Sequence, residues 1–377
     1  MNKEVLKVFF KPLTWLNRII KKDEKLIFFY SNLGFRDNVK AFYDYLLDKG
    51  YNDEYKIVVS INDFEKYLEN PPKNVLFVNN KKGIKHFMKS KYAFYCFGKY
   101  PIKPAKSQTV VNLWHGTPLK KIGNLERGLE KIDYNFFSFV VASSPMYKPI
   151  MAKIFGCDET NVEVLGNPRN DELFAEDVQT DRKICESYDK LILWMPTYRE
   201  YDEDYVVSIL KKDQLQQLND KLKEGNSKLI IKLHPLQVAK NFDNQYSNIS
   251  FLTQKDLNKK NINVYQLLRN TDGLITDYSS VYFDYMLLNR PIAFTVEDIE
   301  EYGKKRGFVF EDPFKYMPGA KLKTYKDLEE YIDNVIKGND PFAMERERIN
   351  MVINSYNDGD SCKRVEKKVF GGIRWKK

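Results

Sequence analysis

Thr109-Val110-Val111-Asn112-Leu113-Trp114-His115-Gly116-Thr117-Pro118-Leu119-Lys120 is the stretch on which the fold turns. It begins as a short β-branched run, apolar on both faces, which is the pattern of a strand buried in a parallel sheet. It ends in a His-Gly pair, where the missing side chain leaves backbone open beside the imidazole. Ligands of open α/β sheets sit beyond the carboxyl ends of the strands, so a histidine here is placed for chemistry.

Similar runs recur on both sides of it. Residues 25–31, 55–61, 74–79, 92–97 and 138–143 are short, aromatic or β-branched, and separated by helical spacing at 37–49 and 81–90. A second series follows at 190–196, 228–234, 248–253, 272–277 and 290–296, with helices near 205–223, 262–269 and 279–289. Buried strands alternating with helices predict parallel sheets. The polar, charged segment 167–189 separates the series, and helical periodicity at 324–337 and 343–357 closes the chain. The expected architecture is α/β, two Rossmann-like domains whose parallel sheets face each other across a cleft. The expected divisions are 1–24, 25–175, 176–362 and 363–377.

Composition agrees with two domains. The chain has 377 residues, 43% of them apolar, enough for large cores and too many for a disordered polymer. Its four cysteines, Cys96, Cys157, Cys185 and Cys362, form no CxxC pair, which argues for reduced thiols and against a zinc site or disulfide framework. The net charge of +9 is concentrated at the ends: residues 1–25 carry +4, residues 363–377 carry +6, and the body between is close to neutral. A neutral body offers no basic stripe for nucleic acid. The first segment mixes Val5, Leu6, Val8, Phe9, Phe10, Leu13, Trp15, Leu16, Ile19 and Ile20 with basic residues, too interrupted for a membrane span. It reads as an interfacial element for an anionic membrane surface, or as a first helix packed on its domain with lysines in water. Pro12 is expected to break or kink a helix there.

Three segments carry the chemistry. His115 ends a buried strand, and imidazole is the usual general base near neutral pH. His234 ends the run Ile230-Ile231-Lys232-Leu233-His234-Pro235 in the second half, to face His115 or merely to cap its strand. Thr276-Asp277-Tyr278-Ser279-Ser280 leads from an apolar run into a helix up to Asp284. Its hydroxyls and free N–H groups suit an anion, and Ser and Asp also suit plain N-capping. Arg169, in the turn Gly166-Asn167-Pro168-Arg169-Asn170-Asp171, has the fork for a bidentate phosphate contact. Pro196-Thr197-Tyr198-Arg199 follows another strand with a hydroxyl and a cation. Asp202 and Asp204 lie in a charged run and read as solvated loop. P-loop, GxGxxG and HExxH motifs are absent.

Taken together, Trp114 to Pro118, Gly166 to Asp171, Pro196 to Arg199, Lys232 to Pro235 and Ile275 to Asp284 resemble the CDP-glycerol glycerophosphotransferase family, the teichoic acid primases and polymerases and their capsule-locus relatives. Arg290-Pro291, Asp298, Tyr302, Arg306-Gly307 and Pro318-Gly319 resemble its later signatures, and the likeness spans roughly residues 25–340 in the family's order. The resemblance implies a GT-B-like fold, with an acceptor-side first domain and a CDP-donor second domain. It also implies peripheral attachment to the cytoplasmic face of the membrane and transfer of a polyol phosphate from CDP-glycerol, or CDP-ribitol, to a lipid-linked glycan acceptor. By motif match, His115 is the base and His234 contacts the donor diphosphate. Trp114, Gly116, Thr117, Pro118, Arg169, Pro196, Thr197, Lys232, Ser279, Ser280 and Asp284 line the donor site. With that much fixed positive potential no cofactor is required, although Mg²⁺ can assist. The family's polymerases carry a long additional N-terminal region not seen in this sequence, which favours a primase-like single transfer or a decorating enzyme and leaves polymerisation open. The rival readings are a nucleotide-sugar-dependent GT-B enzyme and a non-catalytic membrane scaffold.

Overall fold

The computed structural model describes residues 3–176, 188–197, 209–233 and 246–371, with the side chains of 3–9 and of Lys212 left aside. His234, Pro235, Tyr198, Arg199, Asp202, Asp204 and Cys185 lie outside the described residues.

Two units divide the chain. The first holds Met1–Gly116, Ile122–Asp171 and Ser355–Lys377; the second holds Thr117–Lys121 and Glu172–Asn354. In the first, β1 (Asp23–Ser31), β2 (Lys56–Ile61), β3 (Val75–Val78), β4 (Ser90–Tyr95), β5 (Thr109–Asn112), β6 (Phe139–Ala142) and β7 (Val162–Val164) form one sheet. Its order is β3-β2-β1-β4-β5-β6-β7, and every pairing is parallel. The second sheet runs β10 (Ile249–Leu252), β9 (Ser227–Lys232), β8 (Lys190–Trp194), β11 (Gly273–Thr276), β12 (Ile292–Thr295) and β13 (Ala320–Leu322), again all parallel.

Burial explains why these runs are strands. The last six residues of β1 and the last five of β2 are buried without alternation, as both faces of a parallel sheet must be. One face of the first sheet packs Phe29 and Phe94 against Phe42 and Tyr43 of α2 (Asp37–Asp48), with Phe29 and Phe94 stacked at 5.3 Å. On the other face Phe28 packs edge-on against Phe87 of α3 (Asn80–Lys89) at 5.8 Å, while α1 (Lys3–Ile19) precedes β1 and α4 (Tyr147–Phe155) follows β6. In the second unit, Leu215, Leu218 and Leu222 of α5 (Leu215–Glu224) point into a core around Trp194. So do Leu328, Tyr331, Ile332 and Val335 of α7 (Tyr325–Lys337), at the helical spacing i, i+3, i+4, i+7. Between them in sequence, α6 (Val281–Tyr285) is short and wholly buried. The helix α8 (Ala343–Ile353) then leads back to the first unit.

At the N-terminal end the helix α1 runs through Pro12 without a break. Its last turns are held by Asn17, whose Nδ2 donates to the Lys103 carbonyl (3.0 Å) and to Gln108 Oε1 (2.9 Å), while Lys22 Nζ caps the Asn17 carbonyl at 2.8 Å. Residues 361–370, reaching into the expected basic tail, form α9 (Ser361–Phe370). Cys362, Val365 and Phe370 sit in the first core, because their spacing makes one apolar stripe beneath the lysines. Asp171 fastens that helix by accepting from the Ser361 and Cys362 amides at 2.8 and 2.7 Å. The second unit ends at Asn354.

Candidate active site

In the first unit the site grows from the end of β5. Asn112 Oδ1 accepts from the Trp114 amide at 3.0 Å and turns the chain sharply. Trp114 takes φ +54° and Gly116 φ +115°, so the residues on both sides of His115 lie in the left-handed half of φ space. Glycine adopts this freely, whereas a tryptophan does so only under constraint from its surroundings. The constraint is visible. Asn38, fully buried at the start of α2, donates from Nδ2 to the carbonyls of Leu113 and Trp114, both at 3.0 Å, and accepts from the Arg169 amide at 3.0 Å. Arg169 Nη1 then donates to both oxygens of Asp37 (2.9 and 2.8 Å) and to the His115 carbonyl (3.0 Å).

The His115 ring stacks on Phe97 at 4.8 Å and leans on Trp114 at 3.8 Å. This packing removes water from the imidazole and pushes its pKa down to about 4, with Arg169 and Arg36 adding to the effect and Asp37 opposing it. His115 is therefore neutral at physiological pH, the state a general base needs. Arg169, expected as a phosphate ligand, turns Nη1 to the Asp37 carboxylate and the His115 carbonyl and so ties the histidine turn to α2. Arg36, Asp37 and Asn38 were not singled out from the sequence. Their one signal is that they too follow the carboxyl end of a strand, β1.

In the second unit two of the expected segments come together. Thr197 donates through its amide to Asp277 Oδ2 at 2.8 Å and through its hydroxyl to Oδ1, while the Thr276 hydroxyl donates to the Met195 carbonyl at 2.8 Å. These bonds lock the ends of the adjacent strands β8 and β11, with Pro196 buried beside them. Asp277 is fully buried. From residues 273 to 287 only Ser279 and Ser280 are partly exposed, and Ser280 makes no side-chain cap to α6. Both follow the end of β11, and the Ser280 hydroxyl is not used in capping. Lys232 ends β9 and is buried. Asp284, expected to line the site, lies in the core of the unit, where Oδ2 accepts from the Tyr265 hydroxyl at 2.7 Å.

Thr117 and Pro118 belong to the second unit, in a strip that pairs with residues 307–309. Lys121 N donates to the Gly307 carbonyl (3.0 Å), Val309 N to the Leu119 carbonyl (2.8 Å), and Lys120 bridges Phe308 in antiparallel fashion. Several of the later signatures make contacts within the second unit. The Tyr278 hydroxyl donates to Asp298 at 2.8 Å, and its ring packs on Tyr302 at 4.6 Å. A Cβ on Gly319 would fall 2.1 Å from the Ile292 carbonyl oxygen, so the approach of β13 to β12 demands glycine there.

Comparison with known proteins gives this arrangement a family. The model of CDP-glycerol:poly(glycerophosphate) glycerophosphotransferases matches residues 12–371. A teichoic acid poly(glycerol phosphate) polymerase of Bacillus spizizenii is 30% identical over 385 residues, covering 94% of each chain. A teichoic acid poly(ribitol-phosphate) polymerase of the same organism is also 30% identical, over 80% of this chain, which spans about half that relative's length. Since a relative called a polymerase matches along nearly its whole length, the extent of the match does not separate single transfer from polymerisation. A solved structure of the wall teichoic acid polymerase TagF superposes with TM-score 0.77 at 22% identity, covering 98% of this chain and 97% of the other, which shows the shared GT-B-like fold. The chain belongs to the CDP-glycerol:poly(glycerophosphate) glycerophosphotransferase family.

Proposed function

We propose that the protein moves glycerol phosphate from CDP-glycerol to a hydroxyl of a membrane-linked glycan or teichoic acid precursor and releases CMP. The observation that carries this reading is the Trp114-His115-Gly116 turn, a neutral, desolvated imidazole at the carboxyl end of β5 on a backbone held in an uncommon conformation. The acceptor oxygen bonds to the glycerol-bearing phosphorus, the bond from that phosphorus to the bridging oxygen breaks, and its electron pair leaves on CMP. The acceptor proton passes to His115. A base with a pKa of about 4 suffices, because the hydroxyl becomes strongly acidic only as its bond to phosphorus forms. The nearby Asp37 carboxylate favours the imidazolium once it exists.

The second unit is assigned the donor. Thr197, Ser279 and Ser280 supply hydroxyls at strand ends, Lys232 supplies charge, and His234, directly after Leu233, is assigned to the diphosphate. Such transfers depend mainly on positioning and on fixed dipoles aimed at the charge that develops. Attachment is assigned to α1, where Trp15, Leu16 and Ile19 are 61%, 36% and 62% exposed beside Lys11, Arg18 and Lys21. An exposed apolar stripe edged with cations fits the headgroup layer of an anionic membrane. The acceptor is accordingly taken to be lipid-linked and the enzyme peripheral on the cytoplasmic face.

Relatives named for either polyol match at 30% identity, which supports the reaction class and makes CDP-ribitol the second reading. Nucleotide release from purified protein and a lipid-linked acceptor decides between donors. CMP from CDP-glycerol is expected, and CMP from CDP-ribitol alone assigns the other polyol. UDP released from a UDP-sugar, with no CMP from either, overturns the proposal.

A further inference from the structure

The chain leaves β6 through Ser143-Ser144-Pro145-Met146 into α4, and leaves β7 through Leu165-Gly166-Asn167-Pro168. The two loops lie side by side, since the amides of Leu165 and Gly166 both donate to the Ala142 carbonyl at 3.2 Å. Four side chains on them and on the turn that follows are more than nine-tenths buried: Ser143 (3% exposed), Ser144 (0%), Asn167 (4%) and Asn170 (5%). Among the described residues, Ser143 Oγ, Ser144 Oγ, Asn167 Nδ2 and Asn170 Oδ1 have no hydrogen-bond partner. Buried polar atoms are nearly always paired, and leaving one unpaired costs about 1–3 kcal/mol. Four together on adjoining loops need an account.

Their chemistry is selective. Two hydroxyls and one amide N–H₂ can donate, and one amide oxygen can accept. Both serines precede α4, a nine-residue helix whose positive end they flank without capping it. Donors at a helix N-terminus suit a phosphoryl group, and the remaining acceptor suits a hydroxyl. The location ties the set to the histidine turn: Asn170 N donates to the Asn167 carbonyl at 2.9 Å, and Arg169 between them holds the His115 carbonyl.

We propose that Ser143, Ser144, Asn167 and Asn170 form a seat for a polyol phosphate, the terminal unit of the acceptor, on the unit that carries the base. This rests on the proposed function, which gives the acceptor hydroxyl to His115 and the donor diphosphate to the second unit. The seat adds an acceptor subsite that reads a phosphodiester and a free hydroxyl, so that a chain already ending in polyol phosphate is held for the next attack.

The test compares the full-length protein with Ser144→Ala and Asn167→Ala, singly and together, with thermal unfolding measured beside each assay. Titration of a short glycerol phosphate oligomer without donor needs no turnover, and so stands apart from the proposed reaction. Wild-type binding that weakens tenfold or more in the double variant supports the seat, as does a tenfold rise in the KM for a glycerol-phosphate-tipped acceptor with the KM for CDP-glycerol within twofold. An oligomer that does not bind wild type overturns it. So does oligomer affinity unaltered by the substitutions, whatever the melting temperature does, or a rise in the CDP-glycerol KM in place of the acceptor's. Absence of CMP formation by wild type, with oligomer binding intact and sensitive to the substitutions, sinks the proposed reaction and leaves the seat standing.

Discussion

Trp114 is the residue at which local preference and observed conformation part. A bulky side chain in the left-handed region costs of order 1–3 kcal/mol and persists only where its surroundings over-determine it. Here Asn38, Asn112 and the Arg169–Asp37 pair do so, and the outcome is a fixed imidazole. Arg169→Ala leaves Asp37 as an uncompensated, largely buried carboxylate and releases the His115 carbonyl. The variant is expected to lose about 3 kcal/mol of stability in denaturant titration, and its kcat to fall while the KM for CDP-glycerol changes little. Unaltered stability and turnover would contradict the positioning role. The imidazole itself makes a pH prediction with a definite sign. Burial lowers its pKa from 6.5 to about 4, so the neutral, competent form predominates above about 4 and is lost only as pH falls through that value. The acid limb of kcat/KM is therefore expected well below 6; a limb centred near 6.5 shows a solvated histidine instead. The placement of His115 just beyond β5 was legible in the sequence because it follows an apolar run. Its supports were not, because Asp37 and Asn38 meet it only after β1, β4 and β5 line up in the sheet.

Among the elements, the strands that escaped the sequence reading are both edges. The strand β7 reads Val-Glu-Val and β13 reads Ala-Lys-Leu, each three residues with only one buried. An edge strand pairs on one side and needs no continuous apolar run, so the signal that marks the inner strands is missing. The helix α9 was hidden by its charge: the lysines dominate the composition, while Phe370 packs against Tyr92 at 4.6 Å and Tyr51 at 5.0 Å. The helix α1 shows the opposite balance. Its C-terminal turns are anchored by Asn17 and Lys22, yet Trp15 and Ile19 stay outside. Trp15→Ala with Ile19→Ala is expected to weaken binding to anionic liposomes on the order of a hundredfold, from about 1.5–3 kcal/mol per large apolar side chain that a membrane would bury. Thermal stability should hold, and added salt should weaken the wild type's binding through its cations. Equal binding by the variant removes α1 as the attachment site.

Across the whole molecule, the alternation of strands and helices was enough to give two parallel sheets, because buried parallel strands leave a plain apolar signature. The division of the chain was less legible. Its second crossing, at Ser355, depends on Asp171 seizing the amides that open α9, a contact between residues 190 apart in sequence. Each unit has its own core, around Phe29 and Phe94 in one and around Trp194 in the other. The proposed reaction assigns the base to the constrained turn of the first and the donor-binding hydroxyls and charge to the second. The reaction assigned to them depends on one proton acceptor. Release of CMP from CDP-glycerol in the presence of a lipid-linked acceptor, compared between wild type and His115→Ala at matched thermal stability, tests that dependence directly. A loss of about 10²–10⁴-fold is predicted; turnover by the variant at the wild-type rate would contradict it.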